Sequence, residues 1–229
     1  MSERVEPTIT ERLAEVRARI ARAEAEAGRP PGSVTLVAVS KTKPASAIRE
    51  AYAAGQRVFG ENYVQELVDK RRELADLSDL ELHFIGHLQR NKAKDVVLAR
   101  ATVETVDSDR LASELDKRAS AAGVRVPVLV QVNVAREPQK SGCDPDAVAA
   151  LIAHVRSLPG LELRGLMTIP PLDEEPERIR PHFSALRALR DRHLDASAWL
   201  SMGMSADLEV AIAEGATHVR VGTAIFGAR

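Results

Sequence analysis

Val34-Thr35-Leu36-Val37-Ala38-Val39-Ser40-Lys41-Thr42-Lys43-Pro44 carries a short apolar, β-branched run straight into an amine. Both alternate sets of residues 34–39 are largely apolar: Thr35, Val37 and Val39 on one side, Val34, Leu36 and Ala38 on the other. That pattern suits a strand buried on both faces. Pro44 ends the extended run, and 45–54 has the composition of a helix that opens just after it. Lys41 therefore stands at the carboxyl end of a strand, where parallel α/β folds gather their chemistry. Period-two parity places it on the face of Val37 and Val39.

The same strand-then-helix order repeats on either side of this stretch. A helix over 9–27, closed by Gly28-Arg-Pro-Pro-Gly32, comes first. Further strands are expected at 55–60, 82–86, 103–106, 126–134, 161–167, 198–201 and 217–221. Helical segments at 61–77, 88–99, 107–122, 144–155, 175–193 and up to Glu214 separate them. The links are short, and no Pro/Gly/Ser-rich linker divides the units. This predicts one α/β domain over 1–229, with 1–28 as a leading helix packed on a (β/α)8 TIM barrel. Eight units favour the barrel over an open, doubly wound sheet.

Composition narrows the function. Charged residues are 28% of the chain and nearly cancel, to a net charge of -1, which argues against a nucleic-acid or membrane-surface binder. Aromatics at 3% are too few for a base-stacking platform. The single cysteine, Cys143, excludes an internal disulfide and fits a reducing compartment. Met1-Ser-Glu-Arg-Val-Glu-Pro7 lacks the apolar core of a signal peptide, and no run approaches the roughly 20 apolar residues of a membrane span. A cytoplasmic protein is expected.

In a barrel, phosphate is commonly held by the loops after the seventh and eighth strands. Ser201-Met-Gly-Met-Ser205 and Gly222-Thr223 fall there. Glycines let backbone amides approach an anion, and hydroxyls add donors. A phosphate site together with a lysine at the end of the first strand points to a phosphorylated carbonyl ligand, because an amine attacks an aldehyde to form a Schiff base. Pyridoxal 5'-phosphate (PLP) meets both demands. Lys41 is preferred over Lys43 because it continues the strand, whereas Lys43 is already in the turn before proline. Arg220, between Val219 and Val221, reads either as an exposed-edge or structural ion-pair residue or, since a closed barrel has no edge, as an inward arginine that needs an acceptor, for which a pyridine nitrogen would serve. Asn62 and Tyr63 reach the same end, either as a helix cap and a packing residue or as ligand contacts. His83 and His87 lack the further ligands of a metal site and read as core or loop histidines. The cluster 89–94 reads as a solvated helix face, and Cys143 as a loop thiol.

Seven motifs in order, from Ala38-Val-Ser-Lys-Thr-Lys-Pro44 and Phe59-Gly-Glu-Asn-Tyr63 through His83-Phe-Ile-Gly86, Lys140-Ser-Gly142, Arg164-Gly-Leu-Met167 and Leu200-Ser-Met-Gly-Met-Ser205 to Val219-Arg-Val-Gly-Thr-Ala-Ile-Phe-Gly227, resemble the pyridoxal phosphate homeostasis proteins over almost the whole chain. The resemblance implies a barrel of the alanine racemase type without the racemase's second domain. It implies Lys41 as the Schiff-base lysine, Ser201, Gly222 and Thr223 on the phosphate, Arg220 at the pyridine nitrogen and Asn62 near the ring. Met204 and Ser205 belong to the same loop, and Lys140 matches a lysine near the cofactor entrance. Met202 stands where relatives often carry Leu, a change that preserves volume. The implied function is a monomeric, non-catalytic carrier that buffers PLP, maintains vitamin B6 and amino acid homeostasis, and supplies PLP-dependent apoenzymes. A racemase-like enzyme using Tyr63 or His83 as base, and a phosphosugar barrel in which Lys41 attacks a sugar carbonyl, are the alternatives.

Overall fold

β-branched runs, turns and amphipathic helices recur eight times, and in the computed structural model the strands close on themselves in sequence order, each parallel to its neighbours. The structure describes residues 6–171 and 175–227. The strands are β1 (Thr35–Val39), β2 (Val58–Glu61), β3 (Glu81–Phe84), β4 (Thr102–Val106), β5 (Val126–Gln131), β6 (Leu161–Met167), β7 (Trp199–Ser201) and β8 (His218–Val221). The helices are α1 (Ile9–Glu26), α2 (Ala45–Ala53), α3 (Val64–Glu73), α4 (Ala93–Leu98), α5 (Asp109–Ala122), α6 (Val148–Ser157), α7 (Arg180–His193), α8 (Leu208–Ala213) and α9 (Thr223–Phe226). This is the TIM barrel that the alternation predicts.

Strand parity sorts side chains into two layers. Leu36 and Ala38 of β1 join Ile48, Leu67 and Ile225 in the apolar layer between barrel and helices, where each large side chain contributes roughly 1.5–3 kcal/mol by burial. Val37 and Val39 face the barrel axis. A Cβ added at Gly60 on β2 would lie 3.1 Å from Val37 and 3.5 Å from Val39, so β2 offers no side chain at that level. Helix α1 starts at a capping box in which Thr8 and Glu11 satisfy each other's backbone N–H. It packs on α2, α8 and α9, and Arg19 reaches Glu209 at 2.8 Å and the carbonyl of Ser205 at 2.9 Å. The first five residues of the expected leading segment lie outside the described residues.

Element boundaries differ from expectation for local reasons. β5 stops at Gln131 instead of continuing to 134, because the chain folds back. Cys143 N–H donates to the Gln131 carbonyl and Asn133 N–H to the Cys143 carbonyl, both at 2.9 Å. The helix expected over 175–193 divides into a 3-10 turn, Pro176–Ile179, and α7. α7 restarts with Pro181 in its first turn, where the missing N–H costs nothing. No helix among the described residues is long and apolar enough to cross a membrane.

Candidate functional site

The carboxyl ends of β1, β2, β7 and β8 meet at one rim of the barrel. Ser40 follows β1 and donates its N–H to the Gly60 carbonyl at 3.0 Å, which carries the strand's parity one residue further. Its hydroxyl turns to Glu61 at 2.6 Å. Lys41 does not continue the strand as expected: β1 ends at Val39, and Lys41 and Thr42 form a turn closed by the Lys43 N–H on the Ser40 carbonyl at 3.0 Å. Lys41 is half-buried, and its amine makes no hydrogen bond or ion pair among the described residues. Thr42 has φ +64°, a left-handed conformation that β-branched residues avoid.

Below the rim the barrel interior is polar. Arg220 on β8 stands in register with Val37 of β1 and is 4% exposed. Its Nη1 donates to Ser201 Oγ at 2.7 Å and its Nη2 to the Thr168 carbonyl at 2.8 Å, while Nε has no acceptor among the described residues. Ser201 Oγ–H donates to Glu104 Oε2 at 2.5 Å. The other carboxylate oxygen lies 2.6 Å from His83 Nδ1; a carboxylate can only accept, so Nδ1 is the protonated ring nitrogen. Burial opposes ionisation of Glu104, but His83, the charge of Arg220 and the Ser201 hydroxyl outweigh it and hold the carboxyl at about 2. Burial also lowers the Arg220 pKa, with Glu104 and Asp207 opposing. Deeper still, the His218 ring lies 4.3 Å from that of Trp199, and burial pushes its pKa down to about 4. The Ser201 hydroxyl thus bridges the Arg220 guanidinium and the Glu104 carboxylate inside the barrel.

The loop after β7 is bent at Gly203, whose φ of +95° and an added Cβ only 2.5 Å from Ala211 Cβ require glycine. Met204, half-buried, donates its N–H to Asp207 at 2.5 Å. The hydroxyls of Ser205 and Thr223 make no hydrogen bond among the described residues. After β8, a Cβ on Gly222 would lie 3.1 Å from the Val39 carbonyl, so this rim sits directly against the end of β1. Thr223 and Ala224 open α9, where backbone N–H groups have no intrahelical acceptor.

Asn62 is half-buried beside β2, and its Oδ1 is buried without a partner. Asn62 is not a helix cap: α3 begins at Val64, and Tyr63, 50% exposed, takes the cap position without a side-chain bond. Ser201 takes a different place from the one expected. It is fully buried, with its proton on Glu104 and a lone pair engaged by Arg220, so it supports the arginine and has no proton to offer a phosphate. Lys140 lies on the loop after β5, bonded to the Pro170 carbonyl at 2.9 Å and Glu137 at 2.7 Å. Arg90, Lys92 and Lys94 are exposed. Burial pushes the Cys143 thiol up to about 12, too high for a nucleophilic thiolate. Among the described residues no group of three or more His, Cys, Asp or Glu could hold a metal ion.

Sequence reasoning missed Glu104, Thr168 and the group Glu61, Glu66 and Lys70. A carboxylate within Thr102-Val-Glu-Thr-Val106 was the available signal for the first. A Glu and a Lys four residues apart on α3 was the signal for the last two.

Residues 12–229 match the family model described as alanine racemase, N-terminal domain. A pyridoxal phosphate homeostasis protein of Pseudomonas aeruginosa is 51% identical over 225 residues, covering 97% of this chain and 96% of its own. PipY of Synechococcus elongatus, solved with PLP bound, is 42% identical with a TM-score of 0.83, covering 96% of this chain and 100% of its own. Alanine racemase of Bartonella henselae, solved with covalently bound pyridoxal phosphate, shares the fold at 15% identity and a TM-score of 0.73. There the match covers 96% of this chain and 59% of the racemase. The chain belongs to the pyridoxal phosphate homeostasis proteins, a family built on the alanine racemase N-terminal domain.

Proposed function

We propose that the chain binds PLP at this rim through Lys41, and that it carries and buffers the cofactor, in support of vitamin B6 and amino acid homeostasis, without catalysing a reaction on it. The observation that carries this reading is half-buried Lys41, whose amine has no partner among the described residues, just past the end of the strand whose Val37 is in register with buried Arg220, whose Nε–H has no acceptor among the described residues. The relatives' names and the PLP bound in PipY support the same ligand. The residues present fit it: an amine, a buried donor for a ring nitrogen, an orphaned acceptor at Asn62 and uncommitted hydroxyls at the two loops.

When bound, PLP would supply an aldehyde. Lys41 would provide the amine that holds it. Ser205 and Thr223, with the backbone at Gly222 and the start of α9, would hold the phosphate, and Met204 would shape the loop. Arg220 would offer its Nε–H to the pyridine nitrogen, and Asn62 would lie near the ring. Ser201 and Glu104 keep Arg220 charged and aimed. An arginine does not protonate a pyridine, so the ring is a weaker electron sink than one paired with a carboxylic acid. The reading extends to a cytoplasmic monomer of one domain that gives PLP to apoenzymes.

The test is an absorbance spectrum with PLP, then borohydride reduction and peptide mapping, in the unaltered chain and in Lys41→Ala. A visible band and a reduced adduct on Lys41, both lost in the variant with stability changed by less than about 0.5 kcal/mol, are expected. An adduct on another lysine, or on none, overturns the assignment. Catalytic exchange of amino acid α-hydrogens in heavy water would overturn the carrier role in favour of a racemase-like enzyme.

A further inference from the structure

Lys41 sits between two residues that are tied down from outside the barrel. Every polar group of Ser40 is engaged: N–H with Gly60 at 3.0 Å, hydroxyl with Glu61 Oε1 at 2.6 Å, and carbonyl with Lys70 Nζ at 2.7 Å. On the other side, Thr42 donates its N–H to Glu66 Oε2 at 2.7 Å. Lys70 joins the two. Its side chain is 7% exposed, and its three ammonium protons have three acceptors: the Ser40 carbonyl, Glu61 at 2.7 Å and Glu66 at 2.9 Å. Glu61 ends β2, while Glu66 and Lys70 lie one turn apart on α3. Thr42 at φ +64° holds a backbone conformation that persists only where the surroundings over-determine it. An ordinary surface ion pair would not capture the carbonyl before, and the amide after, one and the same lysine.

We infer that Lys70, Glu61 and Glu66 form a clamp that positions Lys41. By fixing the backbone on both sides, they aim its side chain at the barrel axis and select it over Lys43 as the amine that takes the carbonyl ligand. They touch no ligand themselves and are positioning residues. The inference rests on the reading of Lys41 given above.

Two variants test it. Glu66→Ala frees the Thr42 amide and leaves the Lys70–Glu61 pair intact. The double variant Lys70→Met, Glu61→Gln removes the ammonium bond to the Ser40 carbonyl and the buried ion pair without stranding a buried charge, and leaves the Glu66–Thr42 bond in place. Hydrogen exchange at Thr42 is measured without ligand. The rate of borohydride-trapped adduct formation with PLP, and its partition between Lys41 and Lys43, are then measured by peptide mapping. Loss of a charge-assisted hydrogen bond should speed Thr42 exchange about tenfold or more and slow the Lys41 adduct by a similar factor. A larger share of adduct on Lys43 should accompany this, while Glu66→Ala melts close to the unaltered chain. Unchanged exchange, rate and partition in the folded variants would overturn the clamp. No Lys41 adduct in the unaltered chain would be a different result, overturning the ligand assignment and the clamp's role toward it together.

Discussion

Lowering the pH from 7 to 5 should remove about 2 kcal/mol of folding stability through one side chain, His218. The ring is buried in the barrel floor against Trp199, with Nδ1 2.9 Å from the Thr217 hydroxyl. Burial pushes its pKa from 6.5 to about 4. The native state therefore refuses a proton that the unfolded chain accepts. Stability is complete above the ordinary value, falls as the pH drops through it, and has lost the whole contribution below the folded value. At about 1.4 kcal/mol per pH unit, the loss is about 2 kcal/mol at pH 5 and about 3 kcal/mol at pH 4. Glu104, held at about 2 from 4.5, acts in the same direction. Its stabilisation is full above the ordinary value and is lost as pH falls toward 2, adding almost nothing at pH 5 and about 1 kcal/mol at pH 4. The assay is urea unfolding of the unaltered chain and of His218→Asn, which keeps a polar atom near Thr217 and cannot titrate. Between pH 7 and 5 the unaltered chain should lose about 2 kcal/mol more than the variant. A stability difference independent of pH would refute the assignment of His218 as the acid-sensitive group.

Ser201→Ala removes the hydroxyl shared by Glu104 and Arg220 and should cost about 1–3 kcal/mol. PLP affinity, read by absorbance titration, should fall with it; unchanged stability and affinity would show that the bridge is dispensable. Gly203→Ala puts a side chain at φ +95° and 2.5 Å from Ala211 Cβ. It should lose about 2 kcal/mol or more in urea unfolding, and a neutral result would mean that the loop relaxes freely. Cys143, buried and held at about 12, should react with a disulfide reagent about a hundredfold more slowly in the native chain than in the unfolded one. Equal rates would place the thiol at the surface.

The parts of the site that could be read in the sequence are those decided by local rules. The strand pattern over six residues was enough to place Lys41 at the carboxyl end of β1, because that reading needs only its own strand and the turn that ends it, although Lys41 itself falls in that turn. Arg220 was legible for a similar reason: a closed barrel has no edge, so an arginine flanked by two valines must point inside. The partners of Arg220 were not legible. Thr168 is 52 residues away, and Glu104 is reached only through Ser201, which is itself 97 residues from Glu104. Asn62 could not be assigned either, since a shift of one residue in where α3 begins decides whether Asn62 or Tyr63 takes the cap position.

Glu104 shows why such residues escape. In Thr102-Val-Glu-Thr-Val106 both period-two sets are mixed, Thr102, Glu104 and Val106 against Val103 and Thr105, so the stretch alone does not say which side faces inward. Closure of the sheet makes one side an interior surface, and charges on it need partners across the barrel. An inward Arg220 over an apolar floor would be a buried, unpaired cation, which folding does not tolerate. Arg220 on β8 and Glu104 on β4 are therefore a single feature split between opposite strands. Given the barrel, the inward arginine demands an interior acidic partner, and the one charged residue in β4 is where to look for it.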